Sequence, residues 1–247
     1  MKTEQYCLII NLNEKAIEVR ALFSDLDGVI VDTEPLKFLS YVHALVSLGV
    51  PLSELENPDD SFYSYYTQNC VGGSRLGNVE KQFEWLKNKH LFPKGLTIKK
   101  YINKRLKHYE SIQKNIEAPL ISQNINCLKK FKSNHSFGKI FIVSRTPYQR
   151  TKEILKRAGL EGTTIIAVVP KKDSPKYCRA IRLANRLRQG EFKISLENIV
   201  AIEDTAKGVE EAKEYKLTTI AVPNSFTRYQ DFSKADVTTD SLSDYIN

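Results

Sequence analysis

An apolar run that stops on two carboxylates constrains this chain more than any other feature: Ala21-Leu22-Phe23-Ser24-Asp25-Leu26-Asp27-Gly28. A short run bounded by a turn signal reads as a buried strand. Gly28 lets the chain turn away where a side chain would be forbidden. Asp25 and Asp27 are thereby delivered to the carboxyl end of a strand, where open α/β sheets hold their ligands. Asp-x-Asp by itself, however, is more common in surface turns and helix caps. The rest of the chain must supply its partners.

Beyond this run the pattern divides in two. From Pro35 the period is helical, with Leu36, Leu39, Val42, His43 and Val46 on one face and Gly49 as the stop. Residues 78–90 and 98–116 also read as helices, and no alternating strand pattern interrupts this block. After Pro119, strands at 140–143, 164–169, 199–202 and 219–222 alternate with helices at 146–158, 174–188 and 205–215. Such alternation implies parallel strands joined by right-handed crossovers. The chain therefore reads as α/β: a doubly wound, parallel-sheet, Rossmann-like core over residues 1–34 and 117–247. An all-α domain over residues 35–116 is inserted after its first strand. Ahead of that strand, residues 6–12 and 16–23 predict a hairpin whose second arm runs straight into it.

Composition removes several function classes. With 247 residues, 41% hydrophobic and 27% charged, the chain can bury a full core. No apolar stretch approaches a membrane span. Glu4, Glu14 and Glu18 interrupt the first twenty residues, which argues against a signal peptide. Cys7, Cys70, Cys127 and Cys178 lack metal-binding or redox spacing and read as reduced thiols of a cytoplasmic protein. The net charge of +8 comes from basic runs at 87–114 and 171–193, both helical in pattern, so they read as solvated faces. No zinc-finger, helix-turn-helix or RNA-binding signature accompanies them, which argues against nucleic acid as principal partner. The same charge suits small phosphorylated anions.

Three further strand ends carry polar groups. Ser144 directly follows Ile140-Phe141-Ile142-Val143, and Arg145-Thr146 lead into a helix; a serine there is ordinarily a cap. Lys171-Lys172-Asp173-Ser174-Pro175 opens the next helix. Glu203-Asp204 follow the strand 199–202, and an acidic pair at a helix start is ordinarily capping as well.

The string Asp25-Leu26-Asp27-Gly28-Val29-Ile30-Val31-Asp32-Thr33-Glu34 closely resembles the opening motif of the haloacid dehalogenase-like hydrolase superfamily. Within it, the chain resembles the branch of β-phosphoglucomutase-like and phosphoglycolate-phosphatase-like enzymes, whose helical cap matches residues 35–116. Ile142-Val143-Ser144-Arg145-Thr146 matches the family's phosphate-binding segment, which implies that Ser144, with Arg145 beside it, binds phosphate. Lys172-Asp173-Ser174-Pro175 resembles the family's Lys-Pro-x-Pro and implies Lys172 as a phosphate-binding lysine, with Lys171 as the alternative register. Ile202-Glu203-Asp204-Thr205-Ala206-Lys207-Gly208 resembles its acidic closing motif.

The resemblance implies that Asp25 is the nucleophile and Asp27 the proton donor and acceptor. It also implies Mg2+, held by the Asp25 carboxylate, the Asp27 backbone carbonyl and the Asp204 carboxylate, with Glu203 supporting from behind. Two carboxylates 4 Å apart repel by ~4 kcal/mol at an effective dielectric near 20, so such a cluster needs a cation. Hard oxygen ligands and a phosphate substrate suit magnesium, whereas no histidine or cysteine lies at a comparable strand end to suit zinc. Val71-Gly72-Gly73-Ser74-Arg75 resembles the cap loop that meets the leaving group, implying that Gly73, Ser74 and above all Arg75 select the substrate.

The expectation is a magnesium-dependent phosphatase for a small phosphorylated metabolite. A sugar-phosphate mutase is the alternative, weakened by Val71, which stands where the mutases' Lys-Gly-x-Ser-Arg has lysine. A non-catalytic anion- or nucleic-acid-binding protein on an inherited scaffold is the third reading, and intact Asp25 and Asp27 count against it.

Overall fold

A computed structural model describes residues 8–12, 15–56, 61–135, 138–162, 164–168, 175–186 and 194–246. Its central strand is β3 (Ala21–Ser24), preceded by β1 (Leu8–Leu12) and β2 (Lys15–Val19). All four residues of β3 are buried, as in a parallel sheet covered on both faces. β4 (Lys139–Ser144) and β6 (Ile199–Glu203) flank it, β5 (Thr164–Val168) lies outside β4, and β7 (Thr218–Ala221) and β8 (Val237–Thr238) continue the other side. The sheet order is β5-β4-β3-β6-β7-β8, with every pairing parallel. The connections include α6 (Ser122–Asn134), α7 (Tyr148–Arg157), α8 (Lys176–Arg186) and α9 (Ala206–Glu214). This is an α/β, Rossmann-like, doubly wound core. The chain works outward from β3 to β5, then returns across β3 to β6, and this reversal opens a crevice at the carboxyl ends of β3, β4 and β6.

Phe23, Phe141, Val143, Tyr177, Ala180 and Ala201 form the core on one face of the sheet. The hairpin is present, with Leu8 opposite Val19, but its second arm stops there and does not run into the central strand. Arg20 interrupts it: its N–H donates to the Asn198 carbonyl at 2.9 Å and its carbonyl accepts from Lys139 N–H at 3.0 Å. The chain thereby changes sheet at one residue. α6 is not legible in the pattern, because Ser122-Gln123-Asn124 masks a stripe of Ile125, Leu128 and Phe131 that is buried.

The chain divides into two compact units, one of residues 1–32, 120–224 and 231–247, the other of residues 33–119 and 225–230. The second is helical: α1 (Glu34–Val46), α2 (Leu52–Leu55), α3 (Phe62–Asn69), α4 (Arg75–Asn88) and α5 (Ile98–Asn115). Ser61, Ser74 and Thr97 cap α3, α4 and α5, each accepting from a backbone N–H three residues on. The interior is aromatic, with Phe62 and Trp85 ring centroids 5.1 Å apart and Phe38 and Tyr66 5.2 Å apart. Of the expected face of α1, Leu36 and Val42 are buried and Leu39 is half-buried, but His43 and Val46 are exposed, and Tyr41, Ala44 and Leu45 are buried beside it instead. Residues 225–230 lie within the expected core range 117–247 but fall in the helical unit, because Phe226 is buried among Phe38, Tyr63 and Tyr66. No helix among the described residues is long and apolar enough to cross a membrane.

Candidate active site

Strand register assembles the site. Ser24 pairs with Ile142 on one side and Ile202 on the other, so the next residue, Asp25, lies level with Val143 and Glu203. Asp25 N–H continues the ladder to the Ile202 carbonyl at 3.0 Å. Its Oδ1 accepts the Leu26 N–H at 2.7 Å and its Oδ2 meets Lys176 Nζ at 2.6 Å. The same ammonium lies 2.8 Å from Glu203 Oε1, which also accepts the Tyr177 hydroxyl. Asp204, the residue after β6, accepts from Asn224 Nδ2 at 3.1 Å. Asp27 Oδ2 accepts the Thr146 hydroxyl at 2.7 Å, and Ser144 Oγ accepts the Thr146 N–H at 2.9 Å.

Burial sets the charge state of this cluster. It raises the Asp25 carboxyl, reinforced by the Asp27 charge and opposed by Lys176. Burial likewise pushes Glu203 up to about 7, with Lys176 opposing and Asp25 reinforcing. For Lys176, burial alone would lower the ammonium, yet Asp25 and Glu203 outweigh it and hold it above its usual value. Asp25 and Glu203 thus share the Lys176 ammonium.

The donors fit a hard divalent cation. Oxygens of Asp25, Glu203 and Asp204 lie within 4.8 Å of one another. Glu203 Oε2 is buried with no hydrogen-bond partner among the described residues, an acceptor that a cation or a water bound to one would satisfy. The backbone makes room for these oxygens. A Cβ on Gly28, whose φ is +83°, would stand 1.8 Å from Asp204 Oδ2, and one on Gly208 would stand 2.0 Å from Glu203 Oε2. Both positions therefore demand glycine.

The sequence model of haloacid dehalogenase-like hydrolases matches residues 19–215 of the chain. The protein belongs to this family. None of the curated proteins compared by sequence matches it. Among solved structures, a predicted phosphoglycolate phosphatase from Haemophilus somnus shares the fold at a TM-score of 0.66 and 17% identity, covering 92% of this chain and 96% of that one. CbbY from Rhodobacter sphaeroides, solved with phosphate, has a TM-score of 0.59 and 22% identity over 90% and 94%. β-Phosphoglucomutase from Clostridium difficile has a TM-score of 0.58 and 20% identity over 92% of each.

Of the residues expected from the family motifs, Asp25, Asp27, Ser144, Glu203 and Asp204 all lie at the strand ends beside β3. Arg145 does not join them: its guanidinium reaches both oxygens of Glu211 on α9 at 2.8 Å. Lys171 and Lys172 lie outside the described residues; among those described, the lysine on Asp25 is Lys176, in the first turn of α8. In the cap loop, the Ser74 hydroxyl accepts the Gly77 N–H as a helix cap and Gly73 N–H donates to the Cys70 carbonyl at 3.1 Å. The side chain of Arg75 lies outside the described portion. Glu34, at the start of α1, accepts from Tyr66 and Lys37.

Lys176, Tyr177 and Asn224 are site residues that no motif named, and Thr146 is one to which its motif gave no role. One signal marked Lys176: a cation in the first turn of a helix opposes the macrodipole, so it requires a carboxylate partner nearby. Thr146 sits in a motif but reads as a cap. Tyr177 and Asn224 carry no sequence signal, since their roles depend on where α8 and the end of β7 come to rest.

Proposed function

We propose that this protein is a magnesium-dependent phosphatase that hydrolyses a small phosphorylated metabolite in the cytoplasm through an aspartyl-phosphate on Asp25. The observation carrying this reading is the strand-end cluster: a nucleophilic carboxylate held by Lys176, a second carboxylate two residues on, and an acidic pair from β6 within 4.8 Å of the first. Asp25 has one oxygen oriented by the Leu26 N–H and the other by Lys176, which leaves it aimed and partly neutralised for attack on an anionic phosphorus.

Asp27 gives its proton to the leaving oxygen and later takes one from water. The Thr146 hydroxyl fixes its side chain for both steps. Ser144 and the backbone N–H groups beyond β4 receive phosphate oxygens, and Lys176 balances charge as the ester forms on Asp25. Asp25, Asp204 and the Asp27 carbonyl would hold Mg2+, with Glu203 behind them. Bound there, the ion supplies neutralisation of phosphate charge. Arg75 at the start of α4, with Gly73 and Ser74, is the proposed substrate-selecting end of the helical unit. Cys70 and Cys127 are buried free thiols, and burial lifts Cys70 to about 12, which suits a reducing compartment without a thiol role.

A phosphate-release screen over sugar phosphates, nucleotides and glycolate-type acids, with and without Mg2+, tests this reading. Turnover of at least one ester is expected, Mg2+-dependent and lost in Asp25→Asn by roughly 10⁴-fold or more with the fold retained. Wild-type rates in Asp25→Asn would end the proposal. Conversion of a sugar monophosphate to its isomer in the presence of a bisphosphate primer, without phosphate release, would assign the chain to the mutases instead.

A further inference from the structure

Of the four histidines in the chain, two meet on the helical unit. His43 on α1 and His108 on α5 have ring centroids 5.8 Å apart and ring planes at 79°. Both lie within residues 33–119, so the pair belongs to one compact unit. His43 is exposed and His108 half-buried. Ser47, the residue that ends α1, completes the group: its hydroxyl lies 3.3 Å from His108 Nε2 and donates to the Ala44 carbonyl at 2.8 Å. The phosphatase reading gives these three side chains no role.

The bond to Ala44 fixes the tautomer of His108. A hydroxyl has one proton to donate. Ser47 gives it to Ala44, so toward His108 its oxygen accepts. Neutral His108 therefore carries its proton on Nε2 and its lone pair on Nδ1. Burial lowers the His108 imidazolium, and the neighbouring His43 and Lys104 reinforce the effect, so the ring presents that lone pair at neutral pH.

We infer that His43 and His108 form a binding site for a divalent transition ion of the Zn2+ and Ni2+ class, separate from the acidic crevice and joining α1 to α5. A metal–imidazole bond of about 2.0–2.1 Å sets each ring centre about 3.2 Å from the ion, and two rings at a tetrahedral angle then have centres about 5.2 Å apart. The observed 5.8 Å is about 0.6 Å wider, a gap that rotation of the exposed His43 side chain closes. Ser47 supplies an oxygen acceptor on the far ring N–H, as metal-bound imidazoles commonly have. Water completes the coordination. Imidazole nitrogen suits Zn2+, Ni2+ and Cu2+, whereas Mg2+ takes oxygen ligands, so ligand chemistry keeps the two sites distinct. The Lys104 ammonium opposes the ion and limits its affinity.

The test uses the full-length chain without a histidine tag, titrated calorimetrically with NiCl2 in excess MgCl2, which competes for the acidic crevice. Wild type is expected to bind one Ni2+ at the pair. His43→Ala and His108→Ala should each raise that Kd about tenfold or more, while His90→Ala, at a histidine outside the pair, leaves it unchanged. Lys104→Gln should lower it by about two- to threefold by removing a repulsive charge. Thermal unfolding followed in parallel should show Ni2+ raising the midpoint of wild type and His90→Ala but not of His43→Ala or His108→Ala.

Full Ni2+ affinity in either His43→Ala or His108→Ala, or no binding by wild type, would overturn the site, and so would a Ni2+ signal that excess Mg2+ abolishes. These results are read without turnover, so they leave the proposed function standing. Phosphatase turnover in Mg2+ should be the same in wild type, His43→Ala and His108→Ala. Its loss in both variants would overturn the separation of this site from the acidic crevice.

Discussion

The crevice beside β3 and the interior of the helical unit are both buried and both contain polar groups, but they treat them differently. In the crevice every carboxylate has a partner group: Lys176 reaches Asp25 and Glu203, Tyr177 reaches Glu203, Thr146 reaches Asp27 and Asn224 reaches Asp204, with Glu203 Oε2 alone of its two oxygens left without a hydrogen bond among the described residues. In the helical unit, Asn78 Oδ1, Gln82 Nε2, Trp85 Nε1 and Arg105 Nε are buried without a hydrogen-bond partner among the described residues. There the rings do the holding: the Arg105 guanidinium lies 4.7 Å from the Tyr41 ring centroid and 4.5 Å from that of Tyr109. Charge brought together by strand register must be paired, because an unpaired buried charge costs far more than an unpaired buried amide. The helical unit, built from aromatic bulk, tolerates loose polar atoms.

Lys176→Met should expose this contrast most strongly. It leaves Asp25 and Glu203 buried without their cation, with an expected loss of ~3–5 kcal/mol in urea unfolding and a loss of phosphatase turnover beyond that seen for Lys172→Met. Were Lys172→Met the damaging substitution and Lys176→Met silent, the paired crevice described here would be wrong about its own counter-ion.

The next effect is one of pH. Glu203 has its folded value raised from 4.5 to about 7, so the folded state holds that proton more tightly than the unfolded chain. Its contribution is most favourable below about 4.5 and is lost as pH rises through about 7. The size is on the order of 3 kcal/mol. Asp25, also raised, acts in the same direction, while Lys176 stays charged throughout this window. Urea unfolding in a chelator between pH 4.5 and 8 should show this decline, with a shallower slope in Glu203→Gln. Identical slopes in the two proteins would remove Glu203 as its source.

A smaller effect belongs to the helical unit. Tyr101 donates to Gln82 Oε1 at 2.6 Å inside the aromatic interior. Gln82→Leu strands that hydroxyl and should cost ~1–3 kcal/mol, whereas Gln82→Leu combined with Tyr101→Phe should return to within about 1 kcal/mol of wild type. A double-mutant cycle reads the difference. If the double variant is as damaged as the sum of the singles, this interior depends on its polar pair as the crevice does, and the contrast fails.

Arg145→Gln should do least. Arg145 is half exposed and paired with Glu211, so its removal should cost less than about 1 kcal/mol. KM should change by less than about twofold, the behaviour of a surface pair rather than a phosphate ligand. A tenfold rise in KM would put Arg145 back on the phosphate.

How far the site could be read from residues alone follows the same division. Asp25, Asp27, Ser144, Glu203 and Asp204 were legible because each ends an apolar strand or follows one at once, and parallel register carries strand ends to one place. Lys176 was not legible, since it comes from the helix after β5, where no register rule operates, while the expected Lys171 and Lys172 lie outside the described residues. Arg145 follows Ser144 in the chain, yet its long side chain turns outward to α9, a choice made by the position of Glu211.

What the amino-acid order determined by itself is the alternation of strands and helices, the insertion after β3 and the carboxylates that end β3 and follow β6, because period and turn chemistry are local. What only the tertiary structure decided is that Lys176 pairs with Asp25, that Thr146, Tyr177 and Asn224 hold the acidic groups, and that Phe226 belongs with the helices. Those outcomes depend on which side chains meet after packing, and burial in a low-dielectric crevice then favours a partner for each charged group.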